Sequence, residues 1–258
     1  MLTVSLVKDL SEYVDISGEY GTGFEINDFC DPCILDDEDE IRRIICEYRK
    51  VGIPKGSTMH GAFYDVLIHS RDERIAAIGK HRMKQSMDIA KELGLCGVVF
   101  HVNYQPGIPG DIYRQNVIDK VSGYVEELLK EYKDINIYIE NMFEDDVMVI
   151  KNIAERLSKY ENFGICLDYA HAFVYGTDAE LWVKELAPYL RHIHINDNDL
   201  KEDLHLPVGS GSIDWERFLA YRKDVFPEAS ILIEVTSPDN QRQSLEFIRR
   251  NMGGNCYV

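Results

Sequence analysis

Carboxylates and imidazoles recur along this chain where chemistry could use them: Glu25, His60, His101, Glu140, Asp168 with His171, His194, Asp203 with His205, and Glu234. Most stand at the end of a short apolar run, such as "NIYIEN" at 136–141 or "ILIEV" at 231–235. Burying such groups is costly unless something offsets their charge and lone pairs. A divalent cation does so, and every residue of the series is of a metal-ligand type. One such histidine would be read as a hydrogen-bonded core residue. A whole series in phase with the strand ends points to a metal centre. Glu140, Asp168, His194 and Glu234 form its firmest part, a mixed nitrogen and oxygen donor set suited to Zn²⁺, Mn²⁺, Co²⁺ or Mg²⁺. His192 precedes His194 by two and shares its inward face one layer deeper, so a supporting or core role is expected. His69 and His81 fall in a loop and a helix without a partner pattern and are expected at the surface.

The elements that must position these residues alternate. Strands are expected at 3–7, 23–27, 57–63, 97–103, 136–141, 164–170, 191–197 and 231–235. Between most of them lie stretches of helical period, among them "DEIRRIICEYRKVG" and "RIAAIGKHRMKQSMDIAKELG", where Gly follows the last periodic residue as at a helix C′ position. Only the first connection, "KDLSEYVDISGEYGT", gives no clear helix. The βα rhythm, with no linker and no repeat, predicts α/β architecture: a single (β/α)₈ TIM-barrel domain over residues 1–258, with the site at the C-terminal mouth of the strands.

Composition narrows the classes. The formal net charge is −17, and 45% of the residues are hydrophobic. That charge argues against broad binding to phosphate backbones, which relies on Lys and Arg. The densest basic stretch, Lys80 to Lys84, falls on a predicted barrel helix. The acidic run "DDEDE" at 36–40 reads as a helix N-terminus. No run of eighteen apolar residues and no leader pattern occurs, so a cytoplasmic protein with no membrane partner is expected. The six cysteines are scattered, and "CDPC" (Cys30, Cys33) has no second pair downstream, so free thiols are expected.

The segments "MHGAF", "VFHVNY", "IENMFED", "CLDYAHAF", "HINDND" and "DLHLPVGSGSIDW" in this order resemble the xylose isomerase-like TIM-barrel superfamily, which holds sugar isomerases and epimerases together with the type IV AP endonucleases ("AP endonuclease family 2"). The resemblance runs from residue 23 to 235. For an epimerase it implies one divalent metal on Glu140, Asp168, His194 and Glu234. For an endonuclease it implies three zinc ions on His60, His101, Glu140, Asp168, His171, His194, Asp203, His205 and Glu234, and each of those positions carries the matching residue. Two departures favour the sugar enzymes: "FHVNY" replaces a Pro-Gly pair after the strand His, and "HLPVGSGSIDW" is similar to the loop of uncharacterised sugar phosphate isomerase/epimerase-type members.

The leading expectation is therefore a metal-dependent isomerase or epimerase of a small sugar or sugar phosphate, with one ion, Zn²⁺ or Mn²⁺, and room for up to three. Glu140 and Glu234 would transfer the proton, His101 and His171 would bind substrate hydroxyls, and the amides of Gly209, Ser210, Gly211 and Ser212 would grip a phosphate if there is one. The alternative is a zinc phosphodiesterase acting on DNA, although a nucleic-acid partner is not expected from the charge. A non-catalytic sugar-binding protein is the third reading. Both monomer and homo-oligomer fit the sequence.

Overall fold

The computed structural model describes residues 1–6, 10–176 and 178–252. Eight parallel strands close into a barrel in chain order: β1 (Leu2–Leu6), β2 (Gly23–Ile26), β3 (Thr58–His60), β4 (Gly97–His101), β5 (Asn136–Glu140), β6 (Phe163–Asp168), β7 (Leu190–Ile195) and β8 (Ser230–Ile233). The ring closes where β1 pairs with β8, Val4 lying opposite Ile233. Helices cover the outside, so strands buried on both faces can be nearly all apolar. Val4, Ile137, Ile139, Ile165 and Ile193 are solvent-free. Each such side chain contributes roughly 1.5–3 kcal/mol of burial free energy.

All eight expected strands are present, mostly a residue or more shorter than their apolar runs; Val7 lies outside the described residues. The first connection does hold a helix, Leu10–Tyr20, which buries Tyr13 and Ile16. The acidic run starts the helix Glu38–Val51, where the Asp37 carboxylate accepts from the amides of Asp39 and Glu40 at 3.0 Å. Gly94 closes the helix Glu73–Leu93 in the left-handed conformation, φ 69°, as the sequence led one to expect.

One expectation fails here. His69 is buried, 5% exposed, with Nε2 3.3 Å from the Tyr113 hydroxyl, whereas His81 is exposed. The loop carrying His69 folds under the segment around Tyr113, a tertiary event that local spacing does not encode. Cys30 and Cys33 are free, as are Cys46, Cys96 and Cys166, while Cys256 lies outside the described residues. Among the described residues, no helix is long and apolar enough to cross a membrane.

Candidate metal centre

Strand register brings the donors to one end. Glu140 ends β5 and pairs with Cys166, while Asp168 ends β6 opposite His194 of β7. Glu234 follows β8, its amide donating to the Ile195 carbonyl at 2.9 Å. These positions alternate along each strand, so the donors face inward above a deeper polar layer of Glu25, Thr58 and His192.

The donors fall into three groups at the mouth. His60, His101 and Glu140 form one; Glu140, Asp168, His194 and Glu234 the second; His171, Asp203 and His205 the third. Within each group the ligand atoms lie within 4.8 Å of one another, and Glu140 belongs to two. In the first, both His60 Nε2 and His101 Nε2 converge on Glu140 Oε2, at 3.4 and 3.0 Å. In the second, His194 Nδ1 stands 3.0 Å from Glu140 Oε1 and 3.2 Å from Glu234 Oε2. In the third, the Nε2 atoms of His171 and His205 meet Asp203 Oδ2 at 3.2 and 3.1 Å. All nine donors expected at the site are thus brought together.

Fixed supports aim these side chains. His60, His171 and His205 each donate Nδ1–H to a backbone carbonyl, of Gly61, Asn141 and Glu234 at 2.9, 3.0 and 2.9 Å, which leaves Nε2 as the ligand atom. Asn141 also clasps Asp168 through both backbone groups, at 2.9 and 3.0 Å. Asp168 Oδ2, His194 Nδ1, Asp203 Oδ1 and Glu234 Oε2 are buried atoms without a hydrogen-bond partner. Orphan donor atoms converging in pairs and trios are what a divalent cation would satisfy, so the residues present fit such an ion.

The charges tell the same story. Burial opposes ionisation of Glu234, yet His194 and His205 outweigh it and draw its pKa down to about 2. Burial also opposes charge on His205, but its bond to Asp203 and the neighbouring Glu234 lift it to about 10. Asp168 goes the other way: burial, with Glu234 and Glu140 close by, pushes it up to about 7. A bound cation would compete with protons for these atoms.

The Gly-Ser run does something other than expected. Gly209 N donates to Asp197 Oδ2 at 3.0 Å, Ser210 N to the Pro207 carbonyl at 3.0 Å, and Ser212 N to the Asn198 carbonyl at 2.8 Å. These three amides are engaged inside the protein and do not form a phosphate grip. The loop is anchored by Asp197, fully buried, which also accepts from Ile213 N at 3.2 Å and Trp215 Nε1 at 2.7 Å. A Cβ on Gly211 would stand 2.4 Å from both Asp197 Oδ1 and the Asn198 carbonyl, so glycine is required there. Sequence reading missed Asn141 and Asp197, although their places beside Glu140 in "IEN" and near His194 in "HIND" were visible.

The mouth is a cavity of about 320 Å³. His60, His101, His171, Glu140, Asp203 and Glu234 line it with Phe63, Tyr64 and Met142, and no Lys or Arg does so among the described residues. Phe63 packs its edge on His101 at 4.8 Å and Tyr64 is 54% exposed. Tyr104, Tyr169 and Trp215 pack inside. A cavity of about 480 Å³ beside His69 and Tyr113 is larger but holds no donor group.

A closed eight-stranded barrel with metal-ligand residues at its C-terminal mouth defines a class of TIM-barrel proteins. This chain belongs to the xylose isomerase-like TIM barrel family, whose model matches residues 20–251. It is 26% identical over 205 residues to an uncharacterised protein of Methanocaldococcus jannaschii, covering 74% of this chain and 68% of that one. It is 24% identical over 252 residues to a probable endonuclease 4 of Halorhodospira halophila, covering 87% and 81%. In structure it resembles a D-tagatose 3-epimerase-like protein (TM-score 0.77, 22% identity, 97% and 96% covered). It also resembles a Thermus thermophilus protein soaked with ZnCl₂ (TM-score 0.77, 20% identity, 96% of each chain covered).

Proposed function

We propose that this protein is a divalent-metal isomerase or epimerase of a small, uncharged polyhydroxy carbonyl compound. The observation that carries this reading is the mouth itself: a cation-free cavity of about 320 Å³ with Glu140 and Glu234 both set against His194. That volume suits a single sugar, and a nucleic-acid strand would call for Lys and Arg. Among the described residues, no Lys or Arg lines the mouth and the amides of Gly209, Ser210 and Ser212 are engaged internally, which favours a substrate without a phosphate.

Glu140, Asp168, His194 and Glu234 would hold a Zn²⁺ or Mn²⁺ ion, which when bound supplies Lewis acidity toward a carbonyl or neighbouring hydroxyl oxygen. Glu140 and Glu234, both at the cavity wall, would each accept a proton from a carbon beside that carbonyl and return it. His101 and His171 stand at the cavity wall to bind hydroxyls. Phe63 and Tyr64 offer ring faces to the apolar side of a sugar and help exclude water.

The test is proton exchange. Metal-loaded protein in D₂O with a panel of ketoses and aldoses should bring deuterium onto the carbon next to the carbonyl, read by NMR, and Glu140→Gln should abolish it. A second reading, phosphoester hydrolysis, is favoured by the division of the donors into three groups and by the endonuclease 4 relatives. Cleavage of bis(p-nitrophenyl) phosphate without any deuterium incorporation would replace the first reading with the second.

A further inference from the structure

His194 differs from the other mouth imidazoles in how it is held. His60, His171 and His205 lean on backbone carbonyls through Nδ1 and present Nε2. His194 is reversed: Nδ1 faces Glu140 and Glu234, and Nε2 points down the barrel at Glu25 Oε1, 3.1 Å away. His194 Nε2 and Glu25 Oε1 face each other without either one having a hydrogen-bond partner, and both residues are fully buried.

Glu25 is itself fixed from two sides. Its Oε2 accepts from the Thr58 hydroxyl of β3 at 2.7 Å and faces His192 Nε2 of β7 at 3.0 Å, and His192 Nδ1 is 2.6 Å from Ser230 Oγ at the start of β8. One carboxylate on β2 therefore gathers β3, β7 and, through His192, β8 beneath the donor groups. We propose that Glu25 is a positioning residue of the metal centre: its carboxylate accepts the Nε2–H of His194 and so selects the tautomer whose Nδ1 lone pair faces Glu140 and Glu234. It replaces the backbone carbonyl that orients His60, His171 and His205, and as a carboxylate it also makes the His194 ring a stronger donor. The assignment holds whether the bound ion serves proton transfer or phosphoester hydrolysis.

Two measurements test it. In the zinc-loaded native protein with ¹⁵N-labelled histidine, His194 should show a protonated Nε2 and a metal-shifted Nδ1; the opposite tautomer overturns the proposal. In Glu25→Gln, confirmed folded by its metal-free melting curve, the affinity of the ion on the Glu140, Asp168, His194 and Glu234 group should fall about 10- to 100-fold. Any ion on His171, Asp203 and His205 should bind as before. Unchanged affinity for the first ion in the folded variant overturns the proposal, and if that variant does not fold the NMR result decides alone. Cys166 and His192 also come within 4.8 Å of His194. A thiolate-to-metal absorption band in the Co²⁺-loaded protein, lost in Cys166→Ser, would make His194 Nε2 a ligand and overturn the assignment.

Discussion

The two outer parts of the donor set are built differently. Glu140, Asp168, His194 and Glu234 sit on or just past strand ends, and the first three are at most 1% exposed. Asp203 and His205 ride on a long loop, half-buried, with His205 in the left-handed region at φ 46°. The strand-borne group is aimed by the barrel's hydrogen-bonded register, with Asn141 and Glu25 as buried supports. The loop-borne group depends on Asp197, which ties residues 206–215 back to the end of β7. A rigid half suits chemistry, where small misplacements are costly, and a tethered half suits a group that must admit and release a ligand.

The sharpest way to break that contrast is Glu140→Gln. Because Glu140 serves two donor groups, it should release ions from both, measured by elemental analysis, and lower turnover by roughly 10³-fold. Asp203→Ala combined with His205→Ala should leave the strand-borne ion in place and remove any ion held by the loop, with turnover down on the order of tenfold. If both ions left together, the two halves would be one unit. Asp197→Asn should cost about 2 kcal/mol of stability in denaturant melts, since several amides lose a charged acceptor. It should also weaken only the loop-borne ion, which a two-step metal titration would reveal.

One expected effect lies outside the site and changes neither ion binding nor turnover. Burial draws His69 down from 6.5 to about 4. A lowered pKa means the unfolded chain binds the proton more readily, so the stabilising contribution is present above pH 6.5 and is lost as pH falls toward 4. The loss should be on the order of 1–3 kcal/mol. His69→Gln should flatten that stretch of the melting-temperature profile against pH; an unaltered slope would assign the effect to other groups.

These contrasts also mark what could be read from the sequence. The strand-borne donors were legible because a strand's period of two ties each polar residue to the apolar ones before it, so "YIEN", "CLDYAH" and "LIEV" announce both element and face. The loop-borne donors were visible as an acid and an imidazole two residues apart, but only the family resemblance joined them to His171 as one set, since nothing local dictates where Asp203 points. The roles of Asn141, Asp197 and Glu25 escaped because they consist of partners between 12 and 167 residues away. The Gly-Ser run misled for the same reason: the amides of Gly209 and Ser212 look free in sequence and are satisfied by Asp197 and Asn198 at the end of β7.

One contact joins the two halves. His205 donates Nδ1–H to the backbone carbonyl of Glu234, the residue whose carboxylate faces His194. Any ion that immobilises the His205 ring also steadies the backbone under Glu234, and thermodynamic linkage makes the favour reciprocal. Loading should therefore be cooperative: the first ion to bind raises the affinity for the second, and the two melt out of the protein closer together than independent sites would.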